Sequence, residues 1–132
     1  MCRIILMLVL AMINNNAIAE WTKAIAKGND AIFYVDLSAK RESGSIVQMW
    51  DLTDFNTEQK NANGSFLSRI IEGEYNCKEN QERVVFVTRY RGHMGNGVVV
   101  DSGDYPNAKW KTVSEGTIGE ALWKAACKKQ KF

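Results

Sequence analysis

The sequence predicts an α+β fold: an antiparallel, meandering sheet with one C-terminal helix packed on one face and tied there by a disulfide. Three observations carry this expectation. Short runs rich in β-branched and aromatic residues recur between turn residues over most of the chain. At Thr117 the apolar period lengthens from strand-like to helical and stays so to Cys127. Two cysteines, Cys77 and Cys127, fall at the end of a strand run and in the last helical turn.

In chain order, "WTKAIAK" (Trp21 to Lys27), the turn "GND" and "AIFYVD" (Ala31 to Asp36) read as a hairpin. "KRESGS" (Lys40 to Ser45) turns the chain into "IVQMWDLTDF" (Ile46 to Phe55). There Ile46, Gln48, Trp50 and Leu52 share one face, and Val47, Met49 and Asp51 the other. The polar stretch "NTEQKNANGS" (Asn56 to Ser65) reads as a mobile loop. "FLSRIIEGEYNC" (Phe66 to Cys77) and "RVVFVTRYRG" (Arg83 to Gly92) are strands joined by "KENQE"; the Gly-rich tip "HMGNG" leads to "VVVDS" (Val98 to Ser102). "GDYPNA" is a loop, with Trp110 beyond it. "TIGEALWKAACKK" then carries a capping box, Thr117 with Glu120 three residues on. Ile118, Ala121, Leu122, Ala125 and Ala126 form an apolar stripe, and lysines 124, 128, 129 and 131 gather at the end that favours cations. A sheet with one apolar face needs cover, and this Ala-rich helix supplies it.

The first nineteen residues differ in kind. Arg3 is followed by ten apolar residues, Ile4 to Ile13, and by "AIA" before Glu20. A basic start, an apolar run of about 7–15 residues and an A-x-A end describe a secretory signal peptide. The expected cleavage lies between Ala19 and Glu20, leaving a single domain over 20–132. The run is too short to span a bilayer, which takes about 20 residues. With Arg3 removed, the 17 basic residues of the whole chain come nearly level with its 15 acidic ones. Such balance gives no steering toward nucleic acid. The mature chain is expected to carry no transmembrane segment and no lipid anchor, because Cys2 precedes the apolar run instead of following it. For an exported chain, Cys77 and Cys127 most simply form one disulfide. Free thiols or an intermolecular bridge are the alternatives. Two thiolates with a single histidine in the chain do not make a zinc site, and no metal or cofactor is expected.

Little in the sequence points to catalysis. His93, the only histidine, sits in the Gly-rich tip, where a solvated turn residue is the plainer reading than a catalytic base. "GHMGNG" lacks the Lys-Ser/Thr ending and the ensuing helix of a phosphate loop. Asp51 with Asp54, and Asp101 with Asp104, are carboxylate pairs that lack the further ligands of a calcium loop. They read as strand-end and turn residues. "NGS" at Asn63 matches a glycosylation acceptor of little weight here. Arg83, Arg89 and Arg91 occupy alternate positions of one strand, so they are expected to share a face, with Lys109 and Lys111 joining from a neighbouring segment. Such a strip suits a protein or an acidic glycan, although a solvated face is the simpler explanation. The tryptophans read as core, unless one is exposed beside the arginines as a binding anchor.

"YVDLSA", "VQMWDL", "EYNCKENQERVVFVTRY", "GHMGNGVVV", Trp110 and "GTIGEALWKAAC", in that order, resemble the surface-adhesin protein E family of Gram-negative bacteria over nearly the whole mature chain. The resemblance implies six strands, a helix held to the concave face by the Cys77–Cys127 bridge, and binding of host extracellular-matrix proteins. The name-giving member is a lipoprotein that can dimerise; without an anchor cysteine, this chain is expected in the periplasm or secreted rather than at the cell surface. The expected function is a non-catalytic binding module. The alternative is a soluble periplasmic accessory protein, a homodimer with no host ligand.

Overall fold

A computed structural model describes residues 19–27 and 30–128, without the side chains of 23–27. The segment read as a signal peptide and the last lysines lie outside the described residues. Among the described residues the elements are β1 (Trp21–Lys27), β2 (Ala31–Ser43), β3 (Ile46–Asn61), β4 (Gly64–Asn76), β5 (Gln81–Tyr90), β6 (Val99–Asp104), β7 (Lys111–Thr112) and α1 (Ile118–Cys127), with a 3-10 turn at His93–Gly95. β1 to β6 pair in sequence order, each antiparallel to the next, and β7 pairs with the start of β5. The expected meander with one terminal helix is what the chain forms.

The turns follow from local chemistry. β2 and β3 are joined tightly, Ser43 pairing with Ile46, and Gly44 takes φ 61, a backbone state that costs glycine little. Between β4 and β5 the Asn76 side chain accepts hydrogen bonds from the backbone N–H groups of Lys78 (3.1 Å) and Glu79 (3.0 Å), which folds the chain back.

Two strands run further than the sequence suggests. The stretch 56–65 is not a loop: β3 continues to Asn61 and turns directly into β4, with Gln59 opposite Phe66 and Asn61 opposite Gly64. β2 likewise runs on to Ser43. Both extensions are mostly solvent-exposed. With no apolar face to mark the period of two, a polar strand end is indistinguishable in sequence from a loop. Each extension begins after a register break, between Asp36 and Arg41 in β2 and between Asp54 and Gln59 in β3. Such bulges bend a strand and raise its twist.

The core lies between α1 and one sheet face. Val35, Val47, Met49, Tyr75 and Ala126 are buried together, with Phe33, Leu37, Leu122, Trp123 and Ala125 packed around them. Val47 and Met49 stand on this face as their alternation in β3 predicts. Gly73 is opposite Met49, and a Cβ there would lie 2.7 Å from the Tyr75 hydroxyl, so glycine leaves room for that ring. On the other face Leu52 and Ser68 are fully buried under the 93–95 turn, where Ser68 Oγ donates to Gly92 O (2.6 Å) and accepts from Gly95 N (2.9 Å).

Three links fasten α1. Its N-cap is Thr117, whose side chain accepts from Glu120 N at 3.2 Å; this is one half of the capping box, the Glu120 carboxylate accepting instead from Lys124 Nζ at 3.3 Å. Cys77 and Cys127 form a disulfide, and Trp123 Nε1 donates to Asn76 O at 2.9 Å. Cys77 and Cys127 both line a surface hollow with Trp123 and Lys128, so the bridge sits at the rim of the helix–sheet contact. The third link was not visible in sequence. Lys40, projected by the β2 bulge, donates from Nζ to Ala125 O (3.1 Å), Ala126 O (3.1 Å) and Lys128 O (3.2 Å), capping the negative end of the helix. Lys40→Met keeps the stem but removes the cap. It is expected to lower unfolding stability by about 1–2 kcal/mol in urea melts, with no change of fold by circular dichroism.

Candidate binding surface

The five basic residues singled out in the sequence do not form one strip. β4 pairs Glu72 with Phe86 and Gly73 with Val84, so Val85 is an extra residue that shifts the alternation of β5. Arg83 therefore lies opposite Glu74 and Arg89 opposite Arg69, positions on opposite faces of β4. The expectation that Arg83 and Arg89 share a face is corrected by this one-residue bulge. Arg83 donates to Glu74 Oε1 at 2.8 Å, and its guanidinium stacks 4.1 Å from the centroid of the half-buried Trp110. Arg89 donates to Asp101 Oδ1 at 3.0 Å and lies over Phe66. Arg91 falls just past β5, its N–H donating to Val98 O. Lys109 and Lys111 stay with Arg83, around a common hollow.

The bulge also shapes a groove. The Val85 carbonyl accepts from Tyr105 N at 2.8 Å, which draws the 105–108 loop over β5. The chain turns at Pro106, its only proline, and Ala108 N bonds back to Tyr105 O. Val84, Val87, Tyr105, Pro106, Asn107 and Ala108 line a mainly apolar groove of about 600 Å³. Val84 is 41% exposed and Tyr105 47%, so both are open to a partner.

A second hollow, of about 340 Å³, lies beside it under the N-terminal turn of α1. Its walls include Asp51, Ile71, Tyr75, Glu82, Gly119 and Leu122. Asp51 is 2% exposed and accepts no hydrogen bond from any described residue. Burial pushes its carboxyl up to about 7; Arg69 draws it down and Glu82 raises it further. Burial also raises Glu82, against the pull of Lys111. The Glu82 oxygens stand 2.5 and 2.7 Å from where a Cβ on residue 119 would be, so Gly119 is what admits this carboxylate beneath the helix. Asp51 read in sequence as a strand-end residue. In fact it sits mid-strand among the buried positions of β3.

The carboxylate pairs do not converge. Asp51 and Asp54 face opposite sides of β3, and Asp101 is tied to Asn61, Asn63 and Arg89. Hydrogen bonds from Asn63 and Arg89 hold the Asp101 carboxyl below the usual range. Among the described residues no cluster of His, Cys, Asp and Glu is arranged for a metal ion. His93 is not alone: its Nδ1 lies 3.1 Å from Asp54 Oδ1, which also accepts from Met94 N at 2.9 Å. Ser68 is the cross-strand neighbour of Asp54, so three residue types of a hydrolase triad meet here. Their arrangement is structural. The Ser68 hydroxyl proton is committed to Gly92 O, the side chain is fully buried, and Asp54 and Ser68 together anchor the turn in which Met94 takes φ 56.

A meandering antiparallel sheet, closed on one face by a disulfide-clasped terminal helix and grooved along β5, defines the class: a small sheet-and-helix domain. Among solved structures, two of Haemophilus influenzae protein E, one of them its crystal form II, share this fold, each at TM-score 0.60 and 13% identity over 81% of this chain; they are covered to 86% and 83% of their own lengths. A structure of protein E from non-typeable Haemophilus influenzae aligns at TM-score 0.54 and 14% identity over 81% of both chains. No curated protein sequence matches. The sequence pattern of the surface-adhesin protein E family matches residues 21–128, and the chain belongs to that family. Among the described residues no helix is long and apolar enough to cross a membrane.

Proposed function

We propose that this protein is an exported, non-catalytic binding module that recognises a host extracellular-matrix protein through the β5 groove. The observation that carries the reading is the groove with its flank. Exposed Val84 and Tyr105 open into the groove, and Val84 also walls the neighbouring hollow together with Arg83, Lys109 and Lys111. Tyr in the groove and Arg in the adjoining hollow are residue types that dominate binding energy at protein interfaces. Membership of an adhesin family supports the same reading. Residues 1–19 are the export signal, cleaved after Ala19, and 20–132 form one domain in the periplasm or the medium. Biosensor titration of the mature protein over immobilised matrix proteins, with heparin as the acidic-glycan comparison, is expected to show saturable protein binding. Tyr105→Ala and Arg83→Ala are each expected to weaken it by about tenfold or more. Absence of saturable binding to any matrix protein would overturn the reading.

The alternative, a periplasmic accessory homodimer with no host ligand, draws on β6. This strand ends the β1–β6 order, and its first residue Val99 and the preceding Val98 are 51% and 70% exposed. A monomer by light scattering at high concentration would count against it.

A further inference from the structure

We propose that the hollow beneath the first turn of α1 binds a small zwitterion, its protonated amine turned inward to Asp51 and Glu82 and its carboxylate outward to Lys109 and Lys111. The inner half rests on Asp51. A carboxyl group 2% exposed in mid-sheet normally has hydrogen-bond partners. This one has none among the described residues, yet it lines an open hollow. Arg69 acts on it from a distance, with neither a hydrogen bond nor an ion pair, and keeps a buried Nε without a partner of its own. Glu82 adds a second carboxyl, and a glycine in α1 leaves the space that this group needs.

The remaining walls define the ligand. Ile71, Val84 and Leu122 are apolar, suited to a short hydrocarbon chain, and the wall is completed by the Tyr75 ring and by Arg83, which is paired with Glu74. About 340 Å³ lies within the range of small-molecule sites. The exposed Lys109 and Lys111 would repel a bare cation but complement a carboxylate. Carboxyl groups deep and ammonium groups outside make a dipolar site, and an amino acid with separated charges is the matching class. The site needs neither the groove nor a matrix protein, so it stands or falls apart from the function proposed above.

Calorimetric titration of the purified protein at pH 8 with 5-aminovalerate, n-pentylamine and valerate separates the contributions. Saturable millimolar or tighter binding is expected for 5-aminovalerate, at least about fivefold weaker binding for pentylamine, and none for valerate. Lowering the pH to 6 should weaken 5-aminovalerate by about tenfold, because a protonated Asp51 no longer attracts the ammonium. Asp51→Asn should weaken it by about tenfold or more while circular dichroism shows an intact fold, and Glu82→Gln provides an independent second variant. Lys111→Met should reduce the advantage over pentylamine and leave pentylamine itself no weaker. No saturation by tens of millimolar, or undiminished binding in Asp51→Asn and Glu82→Gln, overturns the site. Equal affinity for 5-aminovalerate and pentylamine overturns the zwitterion assignment.

Discussion

Replacing Cys77 and Cys127 with alanine is expected to lower the unfolding temperature by about 10–20 °C. The bridge joins positions 50 residues apart, and closing a loop of that length constrains the unfolded chain by about 4 kcal/mol in the chain-entropy account. Native contacts amplify the effect. α1 is ten residues long, too short to persist alone in water, and it supplies Ala126, Leu122, Trp123 and Ala125 to the core. When the clasp opens, only the Trp123–Asn76 bond, the Lys40 cap and side-chain packing hold the helix down. The sheet keeps its own ladders. The order of events should therefore be resolved by hydrogen exchange: after reduction, α1 amides exchange faster while those of the β3–β4 ladder stay protected. Intact mass must also rise by two hydrogens on reduction. Unfolding temperatures of the oxidised and reduced protein that agree within about 3 °C would remove the clasp from the stability of this fold.

Much of that argument was legible in the sequence, and what was hidden has identifiable causes. Thr117 and Glu120 announce the helix start because capping is local chemistry, and the structure has that bond. The alternation of Val47, Met49 and Asp51 against Trp50 and Leu52 assigns both faces of β3 correctly, because one face is buried under α1 and the period of two is enforced. Where neither face is buried the signal vanishes, so the ends of β2 and β3 looked like turn and loop. Bulges are the second blind spot. Nothing in "RVVFVTRY" shows that Val85 is skipped by its partner strand, yet this single skip separates Arg83 from Arg89 and frees the carbonyl that positions Tyr105. Lys40 is hidden for a third reason: its acceptors lie more than eighty positions away in sequence. Asp51 was within reach. A carboxylate in phase with two buried residues is itself a signal, because such a position forces either a partner or an altered proton affinity.

That altered affinity sets the second large expectation, a loss of stability as the pH rises from about 4 to 7. Asp51 releases its proton near 3.8 when unfolded and near 7 in the fold. Across that window the native state holds the proton more tightly than the unfolded chain. Stability is then fully present below the unfolded value and declines until the folded group ionises. The separation corresponds to about 3–5 kcal/mol, a large share of what holds a domain of this size together. Glu72 and Glu82 are raised in the same direction, and Asp101 is lowered and acts oppositely, so the wild-type profile alone does not isolate Asp51. The difference between wild type and Asp51→Asn does. The amide has nearly the same volume and never acquires a charge. Urea melts at pH 4 and pH 8 should therefore find the variant close to wild type in acid and more stable in base by about 3 kcal/mol or more. Curves that stay parallel across the window would mean that Asp51 ionises in the fold as easily as in water. A bound cation would give the same flattening in the wild type by lowering the folded value, so melts repeated with 5-aminovalerate connect this stability effect to the ligand proposed for the hollow.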